Sequence, residues 1–199
     1  MYSLPGKRSE LSAQATPSAA RLQELVDRQD ILDCIHRYCR AVDRFDREML
    51  LSVYHPDALD DHGLFVGGPE AFADWAFGYH SLYQHLTHHI VTNHTCELDG
   101  DTAHTETYWI FSGINKDPQT ARAQPSSIHF GRYLDRFERR EGRWAIAARA
   151  CIIEWHAILG ELPVPAEALA AYAATGIGRR DREDLSYRRP LAITRAPTR

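Results

Sequence analysis

Two glycine turns, each set between long strand-like runs, constrain this chain more than any other feature. Asp99-Gly100 separates Thr87–Leu98 from Thr102–Ile114, and Glu141-Gly142 separates Ser127–Arg139 from Arg143–Ala157. A short glycine turn between such runs reads as an antiparallel hairpin. The polar segment Asn115–Pro125 is the loop that joins the two hairpins. Four long strands must bury one face against a second layer, and the upstream half of the chain supplies helices for it. From about Ala20 to Phe45, the residues Leu25, Leu32, Ile35, Cys39 and Val42 recur at threes, fours and sevens, an apolar stripe on a charged helix. A second short helix, Arg47 to Tyr54, breaks at His55-Pro56. Asp57 to Val66 reads as a first strand, ended by Gly67-Gly68-Pro69. Pro69 to about Leu86 reads as a third helix, with proline in its first turn and Phe72, Trp75, Ala76 and Tyr79 on one face. Helices first and long antiparallel strands after them give an α+β fold, with the helices packed on one face of a curved sheet.

Residues 1–19 read as a flexible leader, 20–160 as the folded domain, and 161–199 as a C-terminal region. That region carries a short alanine-rich helix (Ala166 to Ala174) and an extended arm lying over the sheet or over a neighbouring subunit. At 199 residues the chain is long enough for one domain with its own core. A net charge of −4 argues against a nucleic-acid partner. The basic clusters Arg139-Arg140 and Arg179-Arg180-Asp181-Arg182 are diluted by acidic neighbours and read as solvated charge. Cys34, Cys39, Cys96 and Cys151 form no C-x-x-C pair and lie in apolar periodic segments, as buried thiols of a reducing compartment do. The first twenty residues lack the apolar stretch of a signal peptide, and no run has the length of a membrane span. A cytoplasmic protein without a membrane partner is expected.

Three features point to chemistry. Asp43 ends the apolar stripe of the first helix, one turn after Cys39. A carboxylate there is partly buried and needs a partner; capping of the second helix is the structural alternative. His80, His85, His88, His89, His94 and His104 crowd one helix-strand-strand stretch, and imidazole is the default general base near neutrality. A metal site is the competitor, but there is no H-E-x-x-H and no acidic residue that completes a facial triad, so no metal is expected. Periodicity does not choose between His88 and His89. Finally, Arg149 shares a strand face with Ala145, Ala147, Cys151 and Ile153. An arginine among small apolar neighbours points into something enclosed and requires an anionic partner; a buried salt bridge to Glu106 or Glu154 is the structural alternative.

Four strings carry a family resemblance: R-Q-D-I-L-D-C-I-H-R-Y-C-R-A-V-D-R-F-D (28–46), T-H-H-I-V-T-N-H (87–94), Y-L-D-R-F-E-R-R-E-G-R-W (133–144) and G-R-R-D-R-E-D-L-S-Y-R-R (178–189). With the order of elements, they resemble the SnoaL-like branch of the nuclear transport factor 2-like superfamily over about residues 20–190. The resemblance implies a cone-shaped α+β barrel with a strongly curved, mostly antiparallel sheet. The superfamily holds enzymes and non-enzymes alike. Its lyases, among them scytalone dehydratase, hexachlorocyclohexane dehydrochlorinase and the bile-acid dehydratases, use an Asp–His pair. By that likeness the pair is Asp43 and His89, the histidine three residues before Thr92-Asn93. The likeness also assigns Arg149, five residues after Trp144, and Tyr38, five before Asp43, to the catalytic set.

Those roles imply a cofactor-free lyase. His89, oriented by Asp43, removes a proton, while Arg149 and Tyr38 stabilise charge on the leaving group or an enolate oxygen. The pocket is expected between the helices and the concave sheet face, lined by Tyr54, His62, Trp109, His129 and Tyr133, and filled by an apolar cyclic or aromatic small molecule. Dehydration, hydrogen-halide elimination and retro-aldol-type cleavage all begin this way. An isomerase or cyclase on the same scaffold is an alternative, as is a non-catalytic small subunit of an aromatic-ring dioxygenase. The family resemblance favours a homo-oligomer, specifically a trimer.

Overall fold

The computed structural model of the protein describes residues 16–160 and 179–187. Helix α1 (Ala19–Arg44) starts at Ser18, whose hydroxyl accepts from the Arg21 amide at 3.3 Å, satisfying one of the free N–H groups of the first turn. It stops at Phe45, where φ of +53° swings the chain left-handed. Asp46 then caps α2 (Arg47–Ser52) by accepting from the Met49 amide at 3.1 Å. The remaining elements are β1 (Tyr54–Asp61), β2 (Val66–Gly67), α3 (Pro69–Tyr83), β3 (Gln84–Asp99), β4 (Thr102–Asn115), β5 (Ser127–Arg140) and β6 (Arg143–Ile158).

The strands form one curved, open sheet in the order β2-β1-β6-β5-β4-β3. Every neighbouring pair is antiparallel except β1 and β6, so the architecture is the α+β one expected. The second turn, Glu141-Gly142, sits where the sequence places it, with φ of +52° and +77°. The first falls one residue later than read, at Gly100-Asp101, because Asp99 still pairs with Thr102; Gly100 has φ of +59°. Two consecutive positive φ values let Glu141-Gly142 match the twist of its strands, and a positive φ at the first residue alone does the same for Gly100-Asp101.

The first strand begins at Tyr54, three residues before the position read from the sequence, and so contains Pro56. A proline removes a ladder donor, but here it falls in the stretch between Tyr54 and Leu59 where the β1–β6 register is irregular. Helix α3 ends at Tyr83, and His85 and Leu86 already belong to β3.

Helix α1 lies against β3 and β6, and α3 against β1. Ile31, Ile35, Tyr38, Val42, Leu50, Val53, Phe72, Phe137 and Ile146 are completely buried between the layers. The buried face of α1 begins only at Asp27; Leu22, Leu25 and Val26 are exposed. Asp27 accepts from the Trp144 indole at 3.0 Å and from Arg139 at 2.8 Å, tying α1 to the second hairpin. All four cysteines are free.

Residues 179–187 lie against the helices. Arg180 donates to the carbonyls of His80 and Gln84, each at 2.9 Å, and its guanidinium sits 4.7 Å over the Phe45 ring. The Tyr187 hydroxyl donates to Asp46 at 2.8 Å. The alanine-rich stretch 166–174 is outside the described residues, as is the leader up to residue 15. No helix among the described residues is long and apolar enough to cross a membrane.

Candidate active site

Asp43, one residue before the end of α1, meets His89 on β3. One carboxylate oxygen accepts from the His89 ring nitrogen Nδ1 at 2.7 Å; the other accepts from the His89 backbone amide at 2.9 Å. The carboxylate therefore grips the same residue twice, fixing both its backbone and its ring. With Nδ1 donating, Nε2 is the nitrogen left to accept a proton. Burial pushes the Asp43 carboxyl up, but the hydrogen bonds and charge of His89, with a further hydrogen bond from Thr87, outweigh burial and hold it below the usual carboxylate range.

His89 opens onto a cavity of about 150 Å³ between the helices and the sheet, the size of an engineered cavity that takes up benzene. Its wall is largely aromatic: Tyr38 from α1; Phe72, Trp75 and Tyr79 from α3; Trp109 and Phe111 from β4; and Tyr133 from β5. His62, His80, His89 and His129 also line it. His80 stands edge-on to His89, with ring centroids 5.6 Å apart, and its Nδ1 donates to Gln84 at 3.1 Å. Burial, and next the neighbouring His89, push its pKa down to about 3, so it stays neutral. Trp109 packs over Gly131, where a methyl group would approach the indole to 2.4 Å and the Ile152 carbonyl to 1.9 Å.

Arg149 is fully enclosed and is not part of the cavity wall. Its Nε and Nη2 donate to the two oxygens of Asp135 at 2.7 and 2.8 Å. Its guanidinium lies 4.1 Å from the ring centres of both Tyr38 and Tyr133. Burial disfavours the charge, but Asp135 more than offsets it, and Arg149 stays protonated far above neutrality. Glu106 and Glu154, the partners considered from sequence, pair instead with Arg132 at 3.0 and 2.8 Å. Arg149 Nη1 has no hydrogen-bond partner among the described residues.

Of the residues singled out from sequence, Tyr38, His62, His89, Trp109, His129 and Tyr133 line one cavity, and Asp43 holds His89 from behind. Tyr54 does not reach the wall; its hydroxyl donates to buried Asp60 at 2.5 Å. Phe111 and Asp60 were missed, and His80 stood in the histidine cluster without being assigned to the wall. The Asp60 signal was available: two residues apart on a strand, Asp60 and His62 share a face. Among the described residues no group of three or more His, Cys, Asp or Glu side chains is placed to hold a metal ion.

The family model described as SnoaL-like domain matches residues 23–150. Among solved structures, a hexachlorocyclohexane dehydrochlorinase from Novosphingobium barchaimii superposes with a TM-score of 0.64 at 23% identity, covering 73% of this chain and 99% of that one. A candidate scytalone dehydratase from Novosphingobium aromaticivorans gives 0.61 at 16% identity, covering 71% and 93%. A candidate aromatic ring hydroxylase from the same species gives 0.59 at 25% identity, covering 67% and 94%. No curated protein sequence matches the chain.

Proposed function

The chain belongs to the SnoaL-like family of the nuclear transport factor 2-like superfamily, and from that premise we propose that it is a cofactor-free lyase acting on an apolar, cyclic or aromatic small molecule. The observation that carries this reading is the double grip of Asp43 on His89 at the edge of an aromatic cavity. A carboxylate that fixes the tautomer and then stabilises the imidazolium is the arrangement a general base requires.

In this reading His89 Nε2 takes a proton from carbon or from a substrate hydroxyl. Tyr38 faces the cavity and donates to the oxygen or leaving group on which charge develops. Arg149 acts through Tyr38. Burial pushes the phenol pKa up, and the adjacent guanidinium opposes that rise, making Tyr38 a better acid than its burial alone would allow. The cavity volume favours a single ring, or one ring of a larger molecule, as the part held next to His89.

The test is a screen of hydroxylated aromatic, lignin-type and steroid compounds against the wild type, His89→Ala and Asp43→Asn. Loss of general-base help costs about 10²–10⁴-fold in rate; a compound turned over equally by all three proteins would end the proposal. The second reading, a non-catalytic subunit of an aromatic-ring dioxygenase, draws on the ring-hydroxylase neighbour and predicts a chain that is unstable without a larger partner. Trimeric assembly belongs to the leading proposal, and mass by light scattering checks it.

A further inference from the structure

A second Asp–His pair faces the same cavity. On β1 and just after it, Asp60 and His62 are joined through Asp60 Oδ1 and the ring nitrogen Nδ1. Asp60 is almost completely buried, and its other oxygen accepts from the Tyr54 hydroxyl at 2.5 Å. On its far side, His62 Nε2 meets the Tyr38 hydroxyl at 3.2 Å. Tyr54, Asp60, His62 and Tyr38 thus form one hydrogen-bonded chain from the core to the cavity wall. The His62 ring is clasped by Phe72, at 4.8 Å between centroids, and by Trp75 at 6.0 Å. The titratable or charged groups around it are Asp60 and Tyr54 of β1, Tyr38 of α1, Tyr133 of β5, and Arg149 and Cys151 of β6. Phe72 and Trp75 of α3 carry no charge.

We propose that His62, anchored by Asp60, is the proton source of the site, supplying a ligand oxygen through the Tyr38 hydroxyl. This rests on the lyase reading above and names its missing acid. With Nδ1 bonded to Asp60, neutral His62 can only accept from Tyr38, so the phenol proton points away from the ligand. Protonated His62 donates to the Tyr38 oxygen and frees the phenol proton for the cavity. In an elimination, the C–H proton passes to His89 Nε2 and its electron pair forms the new double bond. The bond to the leaving oxygen breaks with its pair, that oxygen takes the Tyr38 proton, and Tyr38 takes the His62 proton. Exchange with solvent returns one proton to His62 and removes one from His89. No oxidant or reductant enters.

The ligand class is therefore a ring bearing an oxygen that gains negative charge, and 4-nitrophenolate is a probe of that kind that needs no turnover. At mildly alkaline pH, where the probe is an anion, binding is measured by calorimetry in two buffers of different ionisation enthalpy. Wild type is expected to take up close to one proton per probe. His62→Gln is expected to abolish the uptake, with Asp60→Asn reducing it strongly, while His89→Gln retains it. Thermal unfolding checks each variant, and Asp60→Asn carries the test if His62→Gln does not fold. Uptake that survives in His62→Gln, or disappears only in His89→Gln, overturns the proposal and leaves the Asp43–His89 reading standing. Absence of probe binding by folded wild type at millimolar concentration overturns it as well. Failure of the compound screen would count against the lyase and would not alter these binding outcomes.

Discussion

Arg149 touches the cavity only through Tyr38 and Tyr133: its guanidinium rests 4.1 Å from the centre of each ring, while both of its bonded nitrogens are committed to Asp135. An arginine held this way sets the electrostatic environment of the wall instead of grasping a ligand.

A double-mutant cycle tests the pairing. Arg149→Met strands a buried carboxylate and is expected to cost about 3–5 kcal/mol in urea unfolding. Arg149→Met with Asp135→Leu should recover most of that, because no buried charge is left alone. Strict additivity of the two substitutions would show that the pair is not coupled.

Asp43→Asn should lower turnover far more than stability. The amide can no longer accept through two charged oxygens, so the His89 tautomer is released while the helix end keeps its shape. Nitrogen-15 spectra of labelled histidine are the check: wild type is expected to hold the proton on His89 Nδ1, and the variant to populate both tautomers.

Acid should destabilise the fold in two steps. His80 has a folded pKa of about 3 against an ordinary value near 6.5. Between those values the unfolded chain binds a proton that the native chain excludes, so stability falls as pH falls through this window. Asp43, with its folded pKa depressed, contributes stability that is present above the ordinary carboxylate value and lost as pH falls through the folded value. Urea midpoints at pH 7 and about pH 5 should differ less in His80→Gln than in wild type.

Gly131→Ala should damage fold and cavity together. The added methyl meets a backbone carbonyl at 1.9 Å as well as the Trp109 ring, and the carbonyl cannot rotate away as a side-chain tip would. A loss of about 1–3 kcal/mol is expected, with a shift in Trp fluorescence as Trp109 is displaced from the wall.

The two glycine turns made the hairpins legible, and the stripe from Ile35 to Val42 placed α1. The partner of Arg149 was not legible, for a definable reason. Counting straight back from the Arg140–Arg143 pair puts Leu134 opposite Arg149. The register shift between Arg136 and Phe137 moves the ladder by one residue and brings Asp135 there instead. Nothing local in Arg143–Ala157 announces that bulge. Asp43 and His89 illustrate the other limit: histidine spacing left His88 and His89 equivalent, and only the family likeness separated them. In the fold it is His89 that turns inward; His88 is exposed. The aromatic face of α3 was visible as a pattern, but a wall around an empty space and a packed core produce the same periodicity, so Phe72 and Trp75 gave no sign of which they were.

The two carbonyls that Arg180 holds, those of His80 and Gln84, flank the corner where α3 becomes β3. That corner carries the neutral imidazole next to His89 on one side and the strand bearing His89 on the other. Residues 179–187 are thus a buttress for the cavity, although none of them contributes to its lining. Shortening the gene ahead of Arg179, which would look harmless from the sheet alone, would remove the brace that sets the angle at which helix and strand deliver their histidines.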